Sequence, residues 1–266
     1  MEAIRSLVVC VEYDDMLAVT LKRNARHFTE VLVVTHPGDK RTRDVVADVP
    51  SASCLLTDAF YRHDAKFNKG LAIEEGFDRL GREGWLCVWD ADTLLPSDFA
   101  PPRLTIGKLY SAKRRMLENM EEKYKWYFAD ERSWRQLPYC ADRVFAGYFH
   151  LFNAADPVLE EHPWYDVTFT HAGGGDGYFQ SRWSNSDKLM LPFDVLHIGP
   201  RDRNWFGRTT RRIDGLDAYV PVQRTYDMQE YARKKGWLKS APLLGSDRRV
   251  IEHIYVPGQR SSGFKP

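Results

Sequence analysis

The sequence predicts an α/β protein built on a mostly parallel, Rossmann-type central sheet flanked by helices. Three observations predict it. Apolar runs of strand length recur at 6–11, 31–34 and 86–89, and they are continuous rather than alternating, as a sheet covered on both faces requires. Between them lie stretches whose apolar residues recur at helical intervals. The runs also end in carboxylates, glycines and prolines, at the edge where open parallel sheets collect ligands.

The first strand, 6–11, closes on Glu12, Tyr13, Asp14 and Asp15. Leu17 and Leu21, with charges between them, give 16–28 helical spacing, and the second strand at 31–34 is closed by Thr35-His36-Pro37-Gly38-Asp39. A third short strand falls near 52–56. Behind Phe67-Asn68-Lys69-Gly70, the residues Ile73, Phe77 and Leu80 continue a helix until Gly81 and Gly84 break it. The next apolar run stops at Asp90-Ala91-Asp92 and then meets Pro96. Two aspartates one residue apart at a strand's carboxyl end are placed to hold a divalent cation, and through it a phosphate; the structural alternative is an Asp-rich turn.

Residues 113–136 mix Lys113, Arg114 and Arg115 with Tyr124, Trp126, Tyr127 and Trp134. They predict a surface helix and a loop whose rings meet an acceptor or pack the helix onto the sheet. A strand at 144–152 contains Gly147, which allows close approach of a ligand or another backbone. Gly173-Gly174-Gly175 leads into a helix with Asp176 near its start. As a cap such a carboxylate contributes about 0.5–2 kcal/mol, but the glycines also leave room for a substrate beside it. The apolar stretch 189–196, interrupted by Pro192 and Asp194, leads to His197 and a Gly- and Pro-flanked loop to Arg208. That loop is expected to close over a ligand, with Trp205 excluding water and Arg201, Arg203 or Arg208 meeting phosphate.

At 266 residues, 43% hydrophobic and 28% charged, the chain has core material for one large domain, or one with a C-terminal extension. No stretch approaches the ~18 apolar residues of a membrane span, and no signal-peptide pattern opens the chain, so a cytoplasmic protein is expected. Cys10, Cys54, Cys87 and Cys140 are widely spaced and read as reduced thiols. Net charge is +1, yet residues 182–266 hold 16 Lys and Arg against 9 Asp and Glu. A basic final third suits a polyanionic partner, a lid over pyrophosphate, or a solvated surface.

Taken in order, Phe67-Asn68-Lys69-Gly70 with Gly76-Phe77, Trp89-Asp90-Ala91-Asp92, Phe145-Ala146-Gly147-Tyr148, Gly173-Gly174-Gly175-Asp176 with Arg182, and His197 resemble the motifs of GT-A glycosyltransferases. The likeness is to the catalytic domain of β-1,4-galactosyltransferases and polypeptide N-acetylgalactosaminyltransferases. It implies a GT-A domain over 1–208, with 209–266 a basic extension packed on it. It further implies that Asp92 and His197 bind Mn²⁺ (or Mg²⁺), with Asp194 as an extra ligand, and that Asp90 contacts the nucleotide ribose or a metal-bound water. Asp176 takes the position of the base on the acceptor hydroxyl, and Val11, Glu12, Asp39, Lys69 and Trp205 fall near the donor. Gly175 stands where the family has a glutamate and Ala172 where it has an aromatic residue, so acceptor identity does not carry over.

The expected activity is metal-dependent, inverting transfer of a sugar from a nucleoside diphosphate sugar, UDP-sugar first, to a hydroxyl of a glycan, a small molecule or a hydroxymethylated DNA base. A nucleotidyltransferase and a non-catalytic nucleotide-sugar or glycan-binding module are the alternatives on such a sheet.

Overall fold

The computed structural model describes residues 2–118, 124–140, 145–200, 204–208, 210, 212 and 213. The chain divides into two compact units, Met1–Tyr219 and Val220–Pro266. The second unit, and with it most of the expected basic extension, lies outside the described residues.

The strands are β1 (Ile4–Val9), β2 (Glu30–Thr35), β3 (Ala52–Leu56), β4 (Trp85–Asp90), β5 (Thr93–Leu94), β6 (Leu109–Leu117), β7 (Phe149–Asn153) and β8 (Lys188–Ile198). The helices are α1 (Asp14–Asn24), α2 (Lys40–Ala47), α3 (Lys69–Leu80), α4 (Tyr124–Ala129) and α5 (Gly175–Gln180). Among the described residues, the eight strands join one sheet in the order β3-β2-β1-β4-β7-β6-β8-β5. Strands β3, β2, β1 and β4 run parallel, β7 is antiparallel to both its neighbours, β6 and β8 are parallel, and β5 closes antiparallel on β8. This is the α/β class with a mostly parallel, Rossmann-like central sheet that the sequence predicts.

Burial on both faces of the sheet explains the continuous apolar runs of β1, β2 and β4. Val8, Val31, Val33, Cys87 and Trp89 pack on one face with Leu17 and Leu21 of α1, while Leu7, Leu32, Leu86 and Val88 pack on the other with Ile73 and Phe77 of α3. Each residue is buried whichever way it points. No disulfide joins Cys10, Cys54, Cys87 and Cys140. No helix among the described residues is long and apolar enough to cross a membrane.

The surface helix expected from 113 onward is instead strand β6, which pairs with β8 from Leu109↔Lys188 to Leu117↔Ile198. An irregularity between Ser111 and Lys113 disturbs its alternation, which is why three consecutive basic residues sit in a strand without reading as one. The rings follow in α4 and a 3-10 turn at Glu131–Gln136. Trp134 is buried in a small core with Leu94, Leu117 and Leu196, whereas Trp126 is exposed.

Candidate active site

The Asp90-Ala91-Asp92 turn lies at the carboxyl end of the parallel strands, and the sheet order explains its geometry. The chain leaves β4 at Asp90 and re-enters the sheet at its far edge as β5, where Thr93 pairs with His197 of β8. Asp92 is thereby carried to His197, and its carbonyl accepts from Ile198 N at 2.8 Å. Buried polar groups of α1 hold the turn: Thr20 Oγ1 donates to Ala91 O at 2.7 Å, and Asn24 bridges Thr93 O and Leu95 N. The outcome is His197 Nε2 standing 3.7 Å from Asp92 Oδ2.

A second cluster sits beside it. Asn68 caps α3, accepting from Leu71 N at 2.9 Å and donating to Val167 O at 2.8 Å. A methyl on Gly70 would overlap the Asp166 carbonyl, so this position must be glycine for the segment around 166 to close on the helix. Between them Lys69 projects to the carboxylates, with Nζ 2.7 Å from Asp90 Oδ1 and 3.7 Å from Asp176 Oδ1. Burial alone would lower the Lys69 ammonium, but Asp176 and Asp90 outweigh it and hold the group above its ordinary value. Burial pushes Asp90 up to about 6, against Lys69, with Asp92 and Asp176 adding to the rise.

Asp176 is the second residue of α5. The N-cap is Gly174, at φ 95°, and no side chain caps the helix, so the carboxylate is left to face the cleft. The Gly147 backbone lies against it: a methyl there would overlap the Asp176 carboxylate. The close approach expected at Gly147 is therefore made by a side chain.

Val11, Tyr13, Lys69, Asp90, Asp92, Asp176, His197 and Trp205 all line this one cleft. Asp39 does not line it. Asp39 caps α2, accepting from Thr42 N and Oγ1 at 3.1 and 2.7 Å and from Glu12 N at 2.6 Å. It thus secures the positive-φ Glu12 at the end of β1. The expected direct nucleotide contact by Asp39 gives way to that supporting role, because its oxygens are taken by backbone and threonine.

Asp194 also departs from expectation. Three residues before His197 on β8, it points to the opposite face and meets Arg115 Nε at 2.9 Å and Tyr139 Oη at 3.0 Å. It lies in a separate groove with Arg132, Trp134 and Arg135, so the structure does not bring it to Asp92 and His197. Arg182 is a strut, donating to Trp164 O at 3.0 Å and Pro163 O at 2.7 Å. Arg208, expected to meet phosphate, is instead buried in a bidentate pair with Asp15 and donates to Glu12 O. Arg212 pairs with Asp14 at 2.6 Å. These ties fasten Arg208 and Arg212 to the start of α1, and Trp205 O accepts from Ala172 N at 2.8 Å. Arg201, Arg203 and Arg211 lie outside the described residues.

Sequence reasoning missed Tyr13 and Arg114, both of which line the cleft. Tyr13 stands directly after Glu12 at the end of the first apolar run, a position from which it was foreseeable. Arg114 was hidden in a basic run that read as a surface helix.

The residues fit a divalent cation. Asp92 Oδ1 and His197 Nδ1 are buried without hydrogen-bond partners, a costly arrangement that a cation relieves. The carboxylate oxygen suits Mn²⁺ or Mg²⁺, and the imidazole nitrogen favours the transition metal Mn²⁺ of the two. Among the described residues no group of three or more His, Cys, Asp or Glu side chains is gathered as a metal site. The described residues would therefore supply two ligands, with other positions open to substrate oxygens and water, as in Mg²⁺ sites on phosphates.

No family model matches the chain, and no curated protein matches it. Solved structures do. A glucosyl-3-phosphoglycerate synthase from Mycobacterium tuberculosis in complex with UDP aligns with TM-score 0.47 and 11% identity, over 76% of this chain and 73% of that one. A mycobacterial protein aligns with TM-score 0.44 and 12% identity over 74% of this chain, which spans 65% of that protein's length. The 4-diphosphocytidyl-2C-methyl-D-erythritol synthase from Anaerococcus prevotii aligns with TM-score 0.39 and 8% identity, over 72% and 88%. Two of these are synthases and one is a protein named only by its source; none of the three is a β-1,4-galactosyltransferase or a polypeptide N-acetylgalactosaminyltransferase. Likeness of this degree leaves the functional argument to the site.

Proposed function

We propose that the chain is a metal-dependent glycosyltransferase that moves a sugar from a nucleoside diphosphate sugar, UDP-sugar first, to an acceptor hydroxyl with inversion. The observation that carries this reading is the convergence, in one cleft, of a carboxylate-imidazole pair in which one oxygen and one ring nitrogen lack hydrogen-bond partners and a separate carboxylate held off any cap. Asp92 and His197 would hold the divalent cation, whose chemistry is to offset charge on the diphosphate as the glycosidic bond breaks. Lys69 carries positive charge between the two carboxylate sites. Asp176 accepts the acceptor proton, and the room that Gly147 leaves is what lets its carboxylate face the cleft. Val11, Tyr13 and the Glu12 backbone bound the end where the nucleoside fits, and Trp205 on its strap shields that end from water.

The acceptor is a glycan, a small molecule or a modified DNA base. The DNA version is weakened by the structure, since Arg208 and Arg212 are spent on Asp15 and Asp14. Incubation with UDP-sugars and Mn²⁺ tests the activity. Release of UDP supports transfer, release of pyrophosphate from a nucleoside triphosphate and sugar phosphate supports the nucleotidyltransferase alternative, and turnover of neither supports a binding module. UDP should raise the melting temperature in Mn²⁺ and not in EDTA, and Asp92→Asn should abolish the difference. Equal stabilisation in both buffers would remove the metal from the reading.

A further inference from the structure

Among the described residues, Arg114 and Arg208 are buried arginines, at 6% and 1% exposure. Their surroundings differ. Arg208 has the Asp15 carboxylate in a bidentate pair, whereas Arg114 forms no ion pair with any described Asp or Glu. Its Nη2 donates to Cys140 Sγ at 3.0 Å, its Nε is buried with no partner, and its guanidinium carbon lies 4.5 Å from the centroid of the Tyr148 ring. Thiol sulfur is a weak acceptor, and a ring face attracts the cation without engaging the N–H edge. A guanidinium has five in-plane donors, so most of its hydrogen-bonding capacity is unused.

This side chain lines the cleft of Asp90, Asp92 and His197. Arg114 of β6 pairs with Val195 of β8, and Val195 shares a strand face with His197 two residues on, so Arg114 and His197 face the same side of the sheet. Tyr148, which supports the guanidinium, follows Gly147, against which Asp176 lies. The unpaired cation therefore belongs to the wall between the metal pair and the carboxylate Asp176. A buried charge without a counter-ion is costly unless a ligand supplies one.

We propose that Arg114 is an anion-recognition residue, and that the cleft takes a substrate whose phosphate or carboxylate meets this guanidinium edge-on. The anion belongs either to the donor diphosphate or to an acidic group on the acceptor. The proposal takes from the function above only that the cleft binds substrate, and its test needs neither turnover nor metal in its first arm.

Isothermal titration of the full chain with inorganic phosphate in EDTA, and separately with UDP in Mn²⁺, is compared for the parent, Arg114→Gln and Arg114→Lys. Arg114→Gln should weaken at least one probe tenfold or more, with a smaller loss in Arg114→Lys, which keeps the charge and loses the fork. Loss of phosphate binding with UDP binding intact assigns the anion to the acceptor; loss of UDP binding assigns it to the donor. Binding of both probes unchanged in Arg114→Gln, or binding of neither to the parent, overturns the proposal. If Arg114→Gln does not fold, the Arg114 Nε–H resonance of the parent, assigned by its absence from Arg114→Lys, carries the test: it should shift on addition of phosphate or UDP, and a resonance unmoved by both overturns the proposal. A protein that binds phosphate through Arg114 yet releases no UDP from any UDP-sugar would sink the transferase reading and leave this one standing.

Discussion

Gly147 and Asp176 are in contact across the cleft, the Gly147 backbone occupying the space beside the carboxylate where any side chain would overlap it. The overlapping atoms are the end of a rotatable side chain, so Gly147→Ala is relieved by moving the carboxylate and not the fold. Stability should change by no more than about 1–2 kcal/mol, while a displacement of order 1 Å at a reacting group costs roughly 10²-fold in rate. The expected variant melts near the parent, keeps its UDP and Mn²⁺ response, and turns over about a hundredfold more slowly. Steady-state kinetics beside thermal denaturation decide it. Parental turnover would place the reacting proton elsewhere than at Asp176.

Replacing Asp176 itself is the complementary change. No cap hydrogen bond is lost, because the helix is capped by Gly174 and no side chain contributes. Asp176→Asn should therefore fold and bind UDP with Mn²⁺, yet fall by about 10²–10⁴ in turnover if the carboxylate is the general base. A product of retained anomeric configuration, seen by NMR, would exclude direct displacement whatever the variant does.

How much of this could be read from the sequence depended on range. Strands β1, β2 and β4 were legible because each carries a continuous apolar run, and the Asn68-Lys69-Gly70 segment because it is one of the motifs that carry the resemblance. Asp92 was legible as a cation ligand from its place at the end of an apolar run, but His197 was nameable as its partner only through resemblance, since their meeting depends on β5 crossing to the far edge of the sheet, a pairing that two residues, Thr93 and Leu94, do not announce. Asp194 misled because strand parity is invisible until the strand is known: three residues from His197 is the wrong face. Arg208 misled for a different reason, as the carboxylate that claims it, Asp15, is 193 positions away.

That long-range pair sets a stability expectation. The side chains of Arg208 and Asp15 are wholly inaccessible to solvent, and Asp15 Oδ2 also accepts from Ile213 N at 2.7 Å. Removing one member of a buried pair leaves the other charge uncompensated, which costs about 3–5 kcal/mol. Asp15→Asn should lower the melting temperature or, if the strap opens first, leave the global transition and speed hydrogen exchange of the amides of residues 205–208, 212 and 213. Exchange followed by mass spectrometry separates these outcomes. Unchanged exchange and unchanged melting would show that the pair does not fasten the strap.

Acid should loosen the same region through His171. This residue is 3% exposed; its Nδ1 accepts from Gly173 N at 3.0 Å and its ring lies 5.3 Å from that of Phe206 on the strap. Burial lowers its pKa from 6.5 to about 4. The unfolded chain then binds the proton more readily than the folded one, so stability rises with pH between those values. The contribution is fully present above about pH 6.5 and is lost as pH falls toward 4, amounting to up to about 3 kcal/mol at roughly 1.4 kcal/mol per pH unit. Denaturant unfolding at pH 7 and pH 4.5 should show the loss in the parent. His171→Asn, whose side-chain oxygen can take the Gly173 N–H, should be less stable at pH 7 and show a smaller fall on acidification. A pH dependence identical in parent and variant would assign the acid sensitivity to other groups and leave His171 a packing residue of the glycine turn.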